Sequence, residues 1–538
     1  MTLARTALSF MTRPQALAEL FLGRALALSP PSRYRRMTPG DLRGPGPLVL
    51  TDQVHDQIAR TIGDMSAEQG GMLGGRRRTG TVTHFAFDGS ARCSFATYTP
   101  DRATLNQLLR EEWNPQDVDL LGFAHSHPTG SSRPSHGDLI YADRILAAIP
   151  AMDRLVLPIV QTIPGSGNFG LYAYVATRTT GTAQIDDVPV MVVPAEPGDP
   201  TVGDAGFDRV RDAYDLALTA RARLVLVGVG GAAGFAESMA RAGVGEFVLI
   251  DPDVVELPNV GTQQVYRSDV GRPKIDAVAG RILDVNPYAR VVGAQVSLDA
   301  LSDDMVRRLV HRPLANSATP GPVTTVLCGF TDDFWAQARV NRLALHLGVP
   351  MLAAQVYREG RGAEVSFSVP GVTRACGRCV LGPRYRAFLE RGYRNTVSSH
   401  GTPLWATERL NALKAEVILA ILHGTAGYGD AGHPARARYS SLLERVAARN
   451  LVVARLDPDM AETLGVTMFD KALAGADGER IVADETLWLP QDPEGPETGF
   501  EPCPDCKGTG DLTLCQGTFT DTRLSPPAVV ELETAGGN

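Results

Sequence analysis

The chain has 538 residues, and because a domain usually holds about 150 residues, this length predicts three or four units. Hydrophobic residues make up 44% and charged residues 21%, which describes a soluble globular protein. A formal net charge of −8 gives no support for binding to nucleic acid or an anionic membrane, and no apolar run reaches about 18 residues, so no membrane span is predicted.

Residues 1–44 are predicted to be an N-terminal tail or a short helix. The segment is rich in Arg and Leu, but no clean apolar core or small-residue cleavage site follows it, which argues against a secretory signal. The seven cysteines are too few for a disulfide scaffold, and four of them form two C-x-x-C pairs, which indicates metal binding in a reducing compartment. We therefore expect a cytoplasmic protein.

Residues 45–180 are predicted to form a first domain of short strands and helices. Glu68 opens the sequence Glu-Gln-Gly-Gly-Met-Leu-Gly-Gly, and a longer apolar run leads to His125-Ser-His127. Ser135 and Asp138 follow at the start of a predicted helix. The predicted elements are short strands within 82–87 and 93–98 and helices over 103–113 and 139–148.

These polar residues have the chemistry of a catalytic zinc site. Two histidines at positions i and i+2 of an extended segment point to the same side, and Asp138 adds an oxygen ligand. Three protein ligands leave one zinc position open for water, whose pKa the metal lowers toward about 7. Glu68 is the candidate general base, and Ser135 is the candidate donor to the oxyanion that forms during attack on an amide.

The spacing H-x-H-x7-S-x2-D, with the upstream glutamate motif, resembles the JAMM (JAB/MPN) metallopeptidases. The resemblance implies an α/β domain with His125, His127 and Asp138 as the ligands of one catalytic Zn²⁺. Some members of this family lack the ligands and act as scaffolds, but here the ligand residues are intact. We expect an active peptidase.

Residues 181–206, which contain a Pro- and Gly-rich stretch, are predicted to be a linker, and a helix is predicted over 208–220. The next segment has the order of a nucleotide-binding βαβ unit: an apolar strand over 224–227, three glycines, a helix over 235–242, and a strand over 246–250 that ends at an acid. The glycines are Gly228, Gly230 and Gly231, and the acid is Asp251. Glycines alone are a weak signal, because a dehydrogenase and a tight strand–helix turn without a ligand also require glycine at these positions.

The residues that follow make the signal specific. They are, in order, Asp253, Glu256, Asn259, Gln263, Gln264, Asp269, Lys274, Thr331, Asp332, Arg339 and Asn341. This order resembles the ThiF/MoeB adenylating family, which includes the ubiquitin-activating enzymes, and it defines a Rossmann-like domain over 207–425. The resemblance implies that Asp251 holds the ribose of ATP, that Asn259 and Lys274 lie along the phosphates, and that Asp332 holds Mg²⁺. The rival interpretation is an unrelated Rossmann enzyme.

The sequence departs from the family at the phosphate site. The family's Asn-x-x-Arg-Gln is Asn259-Val-Gly-Thr262-Gln here, so a phosphate-binding arginine is missing. Arg267 or Arg272 is a candidate substitute. Family members also borrow an arginine from a partner protomer, which implies a homodimer.

Residues 426–538 are predicted to be a C-terminal elaboration that ends in a tail. Cys503 and Cys506 lie in it and, with Cys376 and Cys379, have the spacing of one structural Cys₄ zinc site. A redox pair or two separate functions are the alternatives. Ser398 and Ser399 stand where thioester-forming relatives carry a cysteine, so direct transfer of the acyl group and an oxyester intermediate both stay open.

Taken together, the two resemblances predict an enzyme that adenylates the C-terminal glycine of a ubiquitin-like protein with Mg-ATP and cleaves precursor or isopeptide bonds with its zinc peptidase. Bacterial ubiquitin-like conjugation systems contain both parts, which implies a separate conjugating enzyme as a further partner. The alternative is activation and trimming of a ubiquitin-fold sulfur carrier. A catalytically inactive scaffold is the third hypothesis, and it would require lost ligands.

Overall fold

The computed structural model describes residues 33–38, 41, 44–66, 68–95, 97–128, 131–163, 168–179, 181–193, 195, 204–314, 323–390, 402–455, 485–489 and 503–524. These residues form two compact units. The first unit contains the described residues within 40–198 together with 311–314, and the second contains those within 33–39, 199–310 and 323–524. The first described strand, β1 (Tyr34–Met37), belongs to the second unit.

The first unit has the following helices and strands. They are β2 (Leu48–Thr51), α1 (Asp52–Arg60), β3 (Gly70–Gly75), β4 (Thr81–Val82), β5 (His84–Phe87), β6 (Arg92–Ser94), β7 (Thr97–Thr99), α2 (Arg102–Leu108), β8 (Asp119–His127), α3 (His136–Ala148), β9 (Arg154–Val156), β10 (Ile159–Ile163), β11 (Asn168–Thr177), β12 (Gln184–Val188) and β13 (Val190–Val193).

The core of this unit lies on both faces of one sheet, with strand order β10-β11-β9-β8-β3-β5 and β12 paired to β11. Alternation along β11 shows the two faces, because Ala173 and Val175 join the apolar cluster of α1 while Tyr174 and Ala176 join that of α3. Strands β13, β2 and β4 form a smaller sheet, and β6 and β7 form a hairpin. Cys93 on that hairpin is exposed and is not a core residue.

The second unit continues the chain with one long sheet. Its elements are α4 (Leu216–Thr219), β14 (Ala222–Val227), α5 (Ala233–Arg241), β15 (Glu246–Ile250), α6 (Lys274–Val285), β16 (Arg290–Ala294), α7 (Asp303–His311, whose last residue is grouped with the first unit), β17 (Thr324–Gly329), α8 (Phe334–Leu347), β18 (Met351–Val356), β19 (Gly362–Ser368), α9 (Gly377–Val380), α10 (Gly382–Leu389), α11 (Leu404–Thr425), α12 (Pro434–Val446), β20 (Leu451–Arg455) and β21 (Glu485–Leu489).

The order of this sheet is β1-β16-β15-β14-β17-β18-β19-β20-β21, parallel from β1 to β18 and antiparallel beyond. The chain therefore reverses its direction of winding between β14 and β17, and at such a switch point the loops after the two strands separate and leave a crevice for a ligand. Every residue of β14 and β15 is buried, as continuous apolar strands between two helical layers require. The predicted α/β fold class is confirmed.

Three predictions about local structure are wrong. The predicted linker over 181–206 is folded over residues 184–193, because β12 pairs with β11 and β13 pairs with β2 in the sheets of the first unit. Residues 34–37 are not part of a tail or helix, because the free edge of β16 accepts them as a parallel strand, and the Tyr34 ring packs against Gly293. The predicted helix over 208–220 is instead a 3-10 turn over Ala205–Val210 and the short α4. Asp215 starts that new helix, because its carboxylate accepts a hydrogen bond from the Leu218 amide at 3.1 Å.

Candidate active sites

The predicted metal ligands of the first unit lie together. The His125 Nε2 and His127 Nε2 atoms are 2.9 Å apart, and the Asp138 carboxylate oxygens lie 3.2 Å from the first and 3.4 Å from the second. Strand β8 supplies the two histidines and α3 supplies the aspartate. Ligand atoms about 2.0–2.1 Å from a tetrahedral ion are roughly 3.3 Å apart, so this donor set fits Zn²⁺.

Glu68 approaches this centre from the neighbouring strand. Gly70 of β3 pairs with His125, and the Ser126 amide donates a hydrogen bond to the Gln69 carbonyl at 2.8 Å, which brings the residues before β3 beside the histidines. The Glu68 side chain is buried, and burial raises the pKa of its carboxyl, with the charge of Asp138 adding to the shift and the two histidines opposing it. A carboxyl with a raised pKa is suited to accept and return a proton.

The surroundings hold the histidines in place. The Tyr98 ring stacks on His125 with centroids 6.0 Å apart, and a Cβ at Gly70 would lie 2.5 Å from that ring, so this position has to be glycine. On the other side, the Gln161 amide donates hydrogen bonds to the backbone carbonyls of His127 and Ser131 at 3.3 and 2.6 Å. The sequence motif contains neither Tyr98 nor Gln161, and their contacts come from strand pairing.

Ser135 begins the helix that carries Asp138. Its hydroxyl oxygen accepts a hydrogen bond from the Asp138 amide at 3.3 Å, and its own amide donates to the Asp138 carboxylate at 2.6 Å. This capping box starts α3 three residues earlier than the sequence predicted and orients the aspartate. The hydroxyl hydrogen of Ser135 has no acceptor among the residues that the structure describes, so it can be donated.

A cleft of about 660 Å³ lies at the switch point of the second unit. The predicted nucleotide-site residues that line it are Gly228, Gly230, Gly231, Asp251, Asn259, Lys274 and Asp332. Gly228 has a φ of +85°, and a Cβ there would lie 2.8 Å from the Phe330 carbonyl oxygen. Within the described part of the chain, no side chain caps the N-terminus of α5 after this turn, so its first amides can bind a phosphate.

The acids of the cleft have different surroundings. The buried Asp251 carboxylate accepts hydrogen bonds from the amides of Val229 and Asp253, both at 2.9 Å, and burial raises its pKa against the effect of those bonds. The Lys274 ammonium donates to the Asp253 carboxylate at 2.8 Å. A carboxylate fixed at the end of the second strand is in the position that binds ribose hydroxyls.

Asp332 and Asp333 are adjacent but have different contacts. The Asp333 carboxylate caps α8 by accepting hydrogen bonds from the amides of Trp335 and Ala336 at 3.2 and 3.0 Å. The Asp332 carboxylate is exposed to the cleft and has no hydrogen-bond or ion-pair partner among the described residues. A free carboxylate oxygen of this kind fits Mg²⁺.

Comparison with known families agrees with both domain resemblances. The profile of the ThiF family matches residues 207–419, and that of prokaryotic homologs of the JAB domain matches residues 50–183. The chain joins a JAB domain to a ThiF domain. Both resemblances stated from the sequence motifs are thereby confirmed.

Three curated relatives each match part of the chain. The tRNA threonylcarbamoyladenosine dehydratase of Bacillus subtilis is 41% identical over 75 residues, which is 14% of this chain and 30% of that protein. The SAMP-activating enzyme E1 of Haloferax volcanii is 30% identical over 162 residues, 30% of this chain and 53% of that protein. The sulfur carrier protein ThiS adenylyltransferase of Escherichia coli K12 is 27% identical over 222 residues, 40% of this chain and 80% of that protein. The chain thus spans about half or less of the first two.

Lys274 lines the ThiF cleft as expected, but the arginines proposed to replace the missing phosphate-binding arginine do not. Neither Arg267 nor Arg272 lines the cleft, and Arg272 instead contacts Asp269 at 2.9 Å. Arg384 and Lys414 line it together with Lys274. Arg384 is already paired with Glu364 and donates a hydrogen bond to Gln337 at 3.1 Å.

A second donor set lies elsewhere in the second unit. The Sγ atoms of Cys376, Cys379, Cys503 and Cys506 lie within 4.8 Å of one another, with contacts between them of 3.3 to 3.9 Å. Four thiolates about 2.3 Å from a tetrahedral Zn²⁺ are roughly 3.8 Å apart, so the set fits a structural zinc ion. The pairs are 127 residues apart in sequence, and α12, β20 and β21 lie between them.

No helix in the described part of the chain is long and apolar enough to cross a membrane.

Ser398 and Ser399 lie outside the described residues, so their relation to the cleft stays a prediction. His136 of the JAB motif is an exposed first residue of α3, which agrees with its exclusion from the ligand set.

Proposed function

We propose that the ThiF domain adenylates the C-terminal glycine of a ubiquitin-like protein with Mg-ATP, and that the JAB domain cleaves the precursor or isopeptide bonds of the same protein. One observation carries the first half: seven residues predicted from the sequence line a single cleft at the switch point of the sheet. Relatives named as activating enzymes of SAMP and ThiS support the substrate class.

In the proposed adenylation the cleft mainly positions charge. The glycine turn and the free amides of α5 receive phosphate oxygens, and Asp251 holds the ribose. Lys274 supplies a cation to the phosphates, and Asp332 would hold Mg²⁺, which neutralises phosphate charge when bound. An oxygen of the glycine carboxylate attacks the α-phosphorus, the bond to the bridging oxygen breaks, and pyrophosphate leaves with that electron pair.

In the proposed hydrolysis the JAB residues hold and move protons. His125, His127 and Asp138 would hold Zn²⁺, which supplies Lewis-acid chemistry and makes water acidic when bound. Glu68 takes a proton from the attacking water and gives it to the leaving amine. Ser135, whose hydroxyl hydrogen is available, donates to the oxygen that gains negative charge at the scissile carbonyl.

The second candidate function is activation and processing of a ubiquitin-fold sulfur carrier. The match to the ThiS adenylyltransferase over 80% of that protein favours this reading. The two functions share the adenylate and differ in the acceptor, because conjugation ends in an amide to lysine and sulfur transfer ends in a thiocarboxylate.

We propose three partners: a ubiquitin-like protein ending in glycine, a separate conjugating enzyme and a second copy of the chain, which forms a homodimer. We propose no binding to nucleic acid or to a membrane. A cytoplasmic location suits the described cysteines, which are all free thiols, because a Cys₄ zinc site needs reduced thiolates.

ATP–pyrophosphate exchange with purified protein and ubiquitin-fold candidates tests the adenylating half. We expect exchange to require one carrier and to vanish in Lys274→Ala, and mass spectrometry of the product then separates an amide from a thiocarboxylate. Failure of every carrier ending in glycine to support exchange would contradict the proposal. Cleavage of a fusion between that carrier and a reporter, with loss in Glu68→Gln, tests the peptidase half.

A further inference from the structure

Lys414 is a buried cation that the proposed chemistry has not used. It lies in the middle of α11, its side chain is buried, and it lines the ThiF cleft. Its ammonium nitrogen lies 4.2 Å from the centre of the Phe330 ring and 5.5 Å from that of Phe235. It has no hydrogen bond or ion pair to any other residue within the described ranges. A buried amine without an acceptor points to a ligand that supplies one.

The neighbours place this amine beside the phosphate side of the cleft. Phe330 is two residues before Asp332, and Phe235 lies in the first turn of α5, directly after the glycine turn. One turn earlier on α11, the Asn411 amide donates a hydrogen bond to the Gly231 carbonyl at 3.1 Å, which fixes the helix against that turn. The amine is therefore held between the glycine turn and the strand end that carries Asp332.

Energy and composition both favour an anionic ligand here. Burial lowers the pKa of the Lys414 amine to about 7, while the aromatic faces offset only part of the cost of burying a charge. The chain uses 52 basic residues, of which only four are lysines, and two of those four line this cleft. A compact ammonium is a point charge suited to a phosphate oxygen, whereas arginine is used almost everywhere else.

We propose that the Lys414 ammonium binds a phosphate group of the nucleotide, the one nearest the glycine turn and Asp332, which is the α-phosphate. This inference rests on the proposed adenylation function. Lys414 would compensate for the phosphate-binding arginine that the family carries at the position of Thr262. Helix α11 would then supply this cation, and not the segment that contains Arg267 and Arg272.

Calorimetry on the full-length protein with Mg-ATP, AMP and adenosine tests the assignment. We expect Lys414→Met to bind Mg-ATP and AMP at least roughly tenfold more weakly than the wild type, because a charge-assisted hydrogen bond is lost. Adenosine, which has no phosphate, should bind equally to both. The matched control Lys507→Met removes an exposed lysine and should change none of the three affinities.

The pattern of the affinities decides the outcome. Replacing a buried amine by an apolar chain of similar length should not lower the melting temperature, so a loss of AMP binding cannot be assigned to unfolding. Equal AMP affinity in Lys414→Met and wild type would overturn the inference, even if exchange with a carrier fell, since the amine would then serve the carboxylate. Equal weakening of AMP and adenosine would assign Lys414 a structural role. If the wild type bound neither AMP nor Mg-ATP, the proposed nucleotide site itself would fail.

Discussion

The adjacent carboxylates of Asp332 and Asp333 can be distinguished by substitution, because only that of Asp333 makes contacts with described residues that stabilise the fold. We expect Asp332→Asn to abolish ATP–pyrophosphate exchange with little change in melting temperature, because its carboxylate has no partner among the described residues. Asp333→Ala is the matched control: it should keep exchange but destabilise the domain by about 1 kcal/mol through loss of the α8 cap. Loss of exchange in Asp333→Ala with full activity in Asp332→Asn would reverse the assignment.

Lys414 also predicts a pH dependence of stability. Its pKa falls from 10.5 in the unfolded chain to about 7 in the folded one, chiefly through burial, with Cys328 and Glu408 opposing the shift. Between pH 7 and pH 10.5 the unfolded state binds more protons than the folded state. The free-energy cost of burying the Lys414 amine therefore falls as pH rises, by at most about 1.4 kcal/mol per pH unit. Lys414→Met should therefore raise the melting temperature more at pH 7 than at pH 9.5. Thermal unfolding at both values checks this, and an equal gain at both would contradict it.

At the scale of elements, helix α3 links folding to the chemistry of the JAB site. Ser135 caps it, and Thr51 caps α1 in the same way, its hydroxyl oxygen accepting from the Val54 amide at 3.3 Å. Each change to alanine should cost about 1 kcal/mol of stability. Only Ser135→Ala should also lower the rate of cleavage of a carrier–reporter fusion, since Thr51 has no part in the proposed mechanism. Equal cleavage rates in Ser135→Ala and Thr51→Ala would show that Ser135 caps α3 and has no role in catalysis.

Sequence patterns predicted those parts of the sites that lie at the ends of consecutive elements. His125, His127 and Asp138 belong to one strand and the helix after it, so their spacing alone brings them together. Asp251 and Asp332 follow strands of a parallel sheet, whose carboxyl ends meet at one edge. Local patterns of this kind carry spatial information because the geometry of the element is regular.

Contacts made by packing across the sheet were not predictable. Lys414 lies in the middle of the long helix α11, and an isolated lysine in a helix is ordinarily assigned to the solvent face, yet α11 buries it in the cleft. Tyr98 reaches His125 only because a hairpin folds over β3. The scarcity of lysine was the one signal in the sequence that marked position 414, since four lysines stand among 52 basic residues.

At the scale of the whole molecule, one chain carries two proposed activities of opposite effect on the same bond. The ThiF domain would make a carboxylate ready for amide formation, and the JAB domain would hydrolyse such an amide. Their catalytic residues belong to separate units, so each activity should be removable alone. Glu68→Gln should leave exchange unchanged, and Asp332→Asn should leave hydrolysis unchanged.

The two proposed activities together would set the steady-state amount of conjugates in cells that carry this gene and its ubiquitin-like partner. If the JAB domain reverses what the ThiF domain starts, Glu68→Gln should raise the amount of carrier linked to lysine above the wild-type level, because formation continues while hydrolysis loses its base. Glu112→Gln, an exposed acid of the same unit, is the matched control and should leave the level unchanged. Immunoblotting and mass spectrometry of the carrier measure both. A fall in conjugates in Glu68→Gln would instead show that the peptidase matures the carrier before activation, since an untrimmed precursor offers no terminal glycine to adenylate.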